Sequence, residues 1–200
     1  TGYNAVAEQE GIVHLCCMAH LRRKFVDAQK VAQKKGKTQR TSKADVAVSY
    51  IAKLYAVEKI HKNSDSTTRQ IARQEKSVSI LKEFKKWIDK TLPKVLPKSK
   101  LGEALSYADK YCDKATRYIE NGEWPIDNNP AENAIRPFVI GRKNWLFSDT
   151  VRGANASATL YSLIETAKLN MHEPYNYLRW LFNELPKVID GDVEHLMPWD

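Results

Sequence analysis

The sequence predicts a mainly α fold with a few short strands. Apolar residues recur at three- and four-residue spacing from residue 43 to residue 120, which is the period of helices packed on one face. The run "GIVHLCC" at 11–17 reads as a short buried strand, and the basic-aromatic "GRKNWLF" at 141–147 reads as a strand or hairpin arm after a glycine turn. With 42% hydrophobic residues among 200, the chain has enough apolar material for a real core.

Taken in order, the strand at 11–17 leads into "AHLRRKFVDAQKVAQKK", where Leu21, Phe25, Ala28 and Ala32 form a helical stripe and Arg22, Arg23, Lys24 and Lys30 lie off it. The pattern lapses around "KKGKTQRTSKAD", a loop or domain edge. Tyr50, Ile51, Leu54, Tyr55 and Val57 mark a helix over 43–62. Ile71, Val78, Leu81, Phe84, Trp87 and Ile88 mark another over 66–91, stopped by "LPKVLP" because proline cannot continue a helix. Its basic residues, Arg69, Arg73, Lys76, Lys82, Lys85, Lys86 and Lys90, are scattered around it, as on a solvated surface rather than a DNA track. A third helix, 99–120, carries Leu101, Leu105, Ala108, Cys112, Ala115 and Ile119 inward and ends at a cap, Asn121-Gly122.

Near the C-terminus, "GANASATLYSLIETAKLN" predicts a helix with Leu160, Leu163, Ile164 and Ala167 inward. A last short helix opens at Pro174, the favoured first position, and buries Tyr177, Leu178, Leu181 and Phe182. Three parts result: 1–37, a helical subdomain at 38–122, and 123–200.

The net charge of +8 and pI near 9.3 fit a polyanionic partner, nucleic acid being the commonest, or a lysine-rich solvated surface. No apolar run reaches the roughly 18 residues that suggest a membrane span, and "TGYNAVAEQE" lacks the features of an export signal, so a cytoplasmic location is expected. Three cysteines, Cys16 and Cys17 adjacent, do not make a disulfide framework. His14, Cys16, Cys17 and His20 lack structural zinc spacing, so Cys16 and Cys17 read as strand residues facing opposite sides. His20 suits either a phosphate contact or a buried hydrogen bond.

The stretch "DNNPAENAIRP" at 127–137 admits two readings of Glu132. In the first, Asn129 caps a helix, Pro130 is its first residue, and Glu132 reaches back to complete a capping box, with Arg136 one turn on for an ion pair. In the second, Glu132 is one carboxylate of a two-metal site for phosphoryl transfer, which needs more carboxylates than this stretch supplies.

"CMAHLRRKF" (17–25), "DNNPAENAIRP" (127–137), "GRKNWLF" (141–147) and "SLIETAKLN" (162–170), in this order, resemble the C-terminal part of the transposases of bacterial insertion sequence 66. The resemblance spans nearly the whole chain. It implies a DDE transposase with a ribonuclease H-like α/β fold, in which two aspartates and a glutamate bind magnesium, the glutamate being Glu132. By this resemblance 1–37 holds the last core strand and following helix, 38–122 is a helical insertion, and 123–200 completes the catalytic domain. It implies metal-dependent DNA cleavage and strand transfer. DNA, as transposon ends and target, is the implied partner; other proteins of the same element and further copies of the chain are candidates.

In that family the second catalytic aspartate stands just before a glycine-tyrosine pair and the first lies far upstream. Here Thr1-Gly2-Tyr3 opens the sequence, so both aspartates are expected upstream and the chain alone is expected to be inactive. Arg136, Arg142, Lys143 and Asn144, with Arg22, Arg23 and Lys24 as a second patch, are the candidate contacts to DNA phosphates. Trp145 and Phe147 read as core residues rather than base-stacking ones. The competing readings are a non-catalytic helical nucleic-acid-binding module and a helical protein-interaction domain.

Overall fold

The computed structural model describes residues 11–34, 41–146, 148–189 and 191–199. Thr1-Gly2-Tyr3, most of the loop expected near residue 38, and Phe147 lie outside the described residues. The described residues are mainly helical and include no strand. The chain forms two compact units, residues 1–129 and 130–200.

In the first unit, α1 (Met18–Lys34) and α2 (Lys43–Ile60) are followed by α3 (Ser66–Ala72), a π-helical turn Arg73–Ser77, and α4 (Val78–Thr91). α5 (Lys100–Thr116) then runs into a 3₁₀ turn, Arg117–Glu120. α2 starts where a capping box starts it: the Ser42 hydroxyl accepts from Asp45 N, and the Asp45 carboxylate accepts from Ser42 N. One core joins α1 to α2, α4 and α5 through Phe25, Ile51, Leu54, Phe84, Ile88 and Leu105, all fully buried. Edge and stacked contacts among Phe25, Tyr50, Phe84 and Trp87 add to it.

The strand expected at 11–17 is not present. In place of a ladder, Cys16 N donates to Lys114 O at the end of α5, and just beyond, Met18 N at the start of α1 donates to Ile126 O in the segment before α6, each at 3.1 Å. Cys16 and Cys17 are therefore half-buried against helices and unpaired by disulfide, and burial is the first cause that pushes the Cys16 thiol above its ordinary value.

The helix expected over 66–91 is interrupted by the π turn, whose extra residue rotates the stripe that follows. Arg73, the first residue of that turn, points inward and is 1% exposed, contrary to the solvated surface expected for it. Its guanidinium pairs with both Glu58 oxygens, at 2.9 and 2.7 Å, and donates to Tyr118 O and Asn121 O. Arg69 likewise donates to Gly122 O and Ser64 O. These arginines fasten the turn after α5 to α2 and α3.

Gly122 is not the expected helix cap, because Asn121 before it is extended. A Cβ there would sit 1.8 Å from Ser66 O, so glycine is required by close backbone approach.

The second unit contains α6 (Asn129–Trp145), α7 (Val151–Leu169) and α8 (Pro174–Glu184). α6 replaces the strand or hairpin expected at 141–147. The helix continues through Gly141, which lies against the indole of Trp145: an added Cβ would meet that ring at 2.4 Å. Leu146, at φ 65°, then leaves the helix in the left-handed region. Trp145 packs with Phe138 and Tyr161, ring centroids 5.9 and 5.8 Å away, but at 40% exposed it is not the core residue expected. The small core of this unit is Ala167, Tyr177, Leu181 and Leu196, with the Tyr177 hydroxyl donating to Leu196 O. Leu160 and Phe182, expected inward, are exposed at 39% and 56%.

Candidate functional site

The residues that lead into α6 are fastened by side chains far away in sequence. Tyr55 of α2 donates its hydroxyl to Asp127 Oδ2 at 2.8 Å, across 72 residues. Asp127 Oδ1 accepts from Asn129 N at 3.1 Å, and Asn128 N donates to Cys17 Sγ at 3.3 Å. The helix begins at Asn129 itself, one residue earlier than expected, so Asp127 takes the first-turn acceptor role assigned above to Asn129. Burial first, and then the bond to Asp127, push the Tyr55 phenol well above its ordinary value, which keeps it a donor.

Beside this contact, between α1 and α2, lies an open pocket of about 650 Å³. Arg22, Arg23 and Lys59 supply its cations, Tyr55 and Asp127 line it, and Ala19, Ala52 and Ala56 leave room for a ligand to approach the helix backbones. Of the second basic patch, Arg22 and Arg23 are thus brought together. Lys24 is not with them: its ammonium lies over the Tyr107 ring of α5 at 5.4 Å. His20 is half-buried in α1. Lys59 was missed in the sequence because it belongs to no motif. Tyr55 was read as one more residue of a core stripe, and Asp127 had no assignable direction.

In α6, Glu132 is exposed in the first turn, where the helix dipole favours an anion. Because residues 141–145 continue the helix, their positions are set by its period. At about 100° per residue, Arg136 and Lys143 fall within about 40° of Glu132, whereas Arg142 and Asn144 lie farther round. All four are exposed. The exposed Val139 shares the face of Glu132, so it is mixed rather than purely polar.

For a hard divalent ion, Glu132 offers a carboxylate of the right chemistry, and magnesium commonly takes one or two such ligands together with waters. Asp127 does not extend that set as it stands. One of its oxygens is engaged by Tyr55 and the other by the Asn129 amide.

A basic helical chain with an open groove lined by cations and an exposed first-turn glutamate falls among the transposases when set beside known proteins. It belongs to the IS66 family: residues 1–156 match the family's transposase model, and residues 162–199 match the IS66 C-terminal element. Among curated proteins it is similar to the uncharacterized protein y4qI of Sinorhizobium fredii, 35% identical over 204 residues, which is 100% of this chain and 35% of that protein. It is also similar to y4jD and y4hP of the same organism, each 29% identical over 92% of this chain. The chain spans about a third of the length of these relatives, 34–35%. No solved structure matches it. No helix among the described residues is long and apolar enough to cross a membrane.

Proposed function

We propose that this chain is the glutamate-bearing part of a DDE transposase catalytic region with a ribonuclease H-like core, acting on DNA in the cytoplasm. Glu132 supplies one hard oxygen to the catalytic magnesium, and two aspartates from the remainder of the full-length protein supply the others. Bound there, the metal ions would stabilise the attacking and leaving oxygens of an in-line displacement at a phosphodiester. The residues of this chain orient the substrate. Arg22, Arg23 and Lys59 take phosphates in the α1–α2 groove, and Arg136, Arg142, Lys143 and Asn144 of α6 and Lys24 of α1 neutralise further phosphates. The observation that carries the reading is the exposed carboxylate of Glu132 in the first turn of a helix whose start is anchored, in a chain of the IS66 family.

One carboxylate cannot position two metal ions, so the 200-residue chain by itself binds duplex DNA but neither nicks nor joins it. Incubating the purified chain with supercoiled DNA and magnesium checks this directly. Nicking that disappears on Glu132→Gln would show that the chain carries a complete site.

A further inference from the structure

We propose that the outer face of α1 and α5 extends the α1–α2 groove into one continuous track for the backbone of duplex DNA. The inference rests on the reading of that groove as a phosphate site, and every residue it uses lies in the first unit.

α1 packs between α2 and α5. Toward α2 it presents Arg22 and Arg23 to the groove, and toward α5 its Lys24 ammonium lies over the Tyr107 ring at 5.4 Å. From there the surface continues along α5, where Tyr107, Lys110, Tyr111 and Lys114 recur three and four residues apart and so share one stripe of the helix. The Tyr107 and Tyr111 rings touch, centroids 4.7 Å apart, and the Lys110 ammonium lies over the second ring at 5.4 Å. Lys114 Nζ meets His14 Nδ1 at 3.3 Å, and Arg117, in the turn that follows, donates to His14 O at 3.4 Å.

Lys24, Lys110, Lys114 and Arg117 form no ion pair among the described residues. Their contacts are to rings, to an imidazole and to a carbonyl, which hold a cation in place without cancelling its charge. The acids close to this face, Glu103 and Asp27, each hold a lysine of their own: Lys100 at 2.8 Å and Lys30 at 3.4 Å. One face of each tyrosine is taken by an ammonium and both rings are half-buried, so the surface fits phosphates rather than stacked bases. Packed helices lie about 8 to 10 Å apart, so the track from α2 across α1 to α5 is about 20 Å long, roughly six base pairs of duplex.

The test measures binding of the 200-residue chain to a duplex longer than the track. Lys24→Gln together with Lys110→Gln removes two exposed cations on which no helix depends. The salt slope should flatten by about 1.8, with the thermal midpoint unchanged, and by a similar amount again when the same pair is replaced in the Arg22→Ala, Arg23→Ala, Lys59→Ala background. In the native chain, bound duplex should slow chemical acetylation of Lys24 and Lys110 and leave the exposed Lys82 of α4 as reactive as before. A slope unchanged by the lysine pair but flattened by the groove substitutions would overturn the track and leave the groove reading standing. Slopes unchanged by both would remove the groove reading too. A lysine-pair effect confined to single-stranded DNA would overturn the assignment to duplex.

Discussion

The residue whose role departs furthest from its sequence reading is Arg73. Seven cations along 69–90 look alike on a helical wheel, and the π turn that begins at this buried one breaks the period just before α4. Local pattern cannot show such a phase shift, because its benefit lies in partners as distant as Glu58, Tyr118 and Asn121. A buried, bidentate arginine also anchors by geometry, which a lysine ammonium does not reproduce. Arg73→Ala would leave Glu58 and two carbonyls without their donor and should cost about 3 to 5 kcal/mol, read as a lower urea midpoint. Arg73→Lys should recover little of that.

At the scale of elements, helices with long uninterrupted apolar stripes were legible. The expected 43–62 became Lys43–Ile60, and Pro174 opens α8. The two expected strands were not legible, for different reasons. Leu15 and Cys16 pack against the helical core while Ile12 and Val13 stay exposed, and a short apolar run does not distinguish that from a sheet. Gly141 suggested a turn, yet it is glycine because the Trp145 ring lies against it within a helix that also tolerates Pro137. Of the candidate site, Glu132 and its place in a first turn were legible. The Tyr55–Asp127 bond was not, since nothing in either local sequence points 72 residues away.

The start of α2 makes a prediction of its own. Hydrogen bonding by the Ser42 hydroxyl first, and then by its backbone N–H, holds the Asp45 carboxyl below its ordinary value. A depressed folded-state value gives stability that is present above the unfolded value, near pH 4, and is lost as pH falls through the folded one. Thermal unfolding between about pH 2 and about pH 6 should therefore show a steeper acid loss for the native chain than for Asp45→Asn.

For the molecule as a whole, charge and helix content pointed to a basic helical protein, and the ordered motifs placed it in its family. The groove between α1 and α2 came only with the fold, which sets Lys59 beside Arg22 and Arg23. If each of these three neutralises one phosphate, affinity for duplex DNA should drop roughly fortyfold between about 50 and about 200 mM salt from this groove alone. Replacing all three by alanine should flatten the salt slope by about 2.7. A slope unchanged by the triple substitution would move the DNA elsewhere on the chain.

The central claim is that Glu132 acts as a metal-binding carboxylate, and strand transfer by full-length Glu132→Gln in magnesium tests it most directly. Glutamine keeps the shape and hydrogen-bonding capacity of the side chain and removes its charge. The account predicts transfer at background, with DNA binding and thermal midpoint close to those of the native protein. Near-normal transfer at ordinary magnesium concentrations would contradict it and leave Glu132 as a residue of the helix start alone.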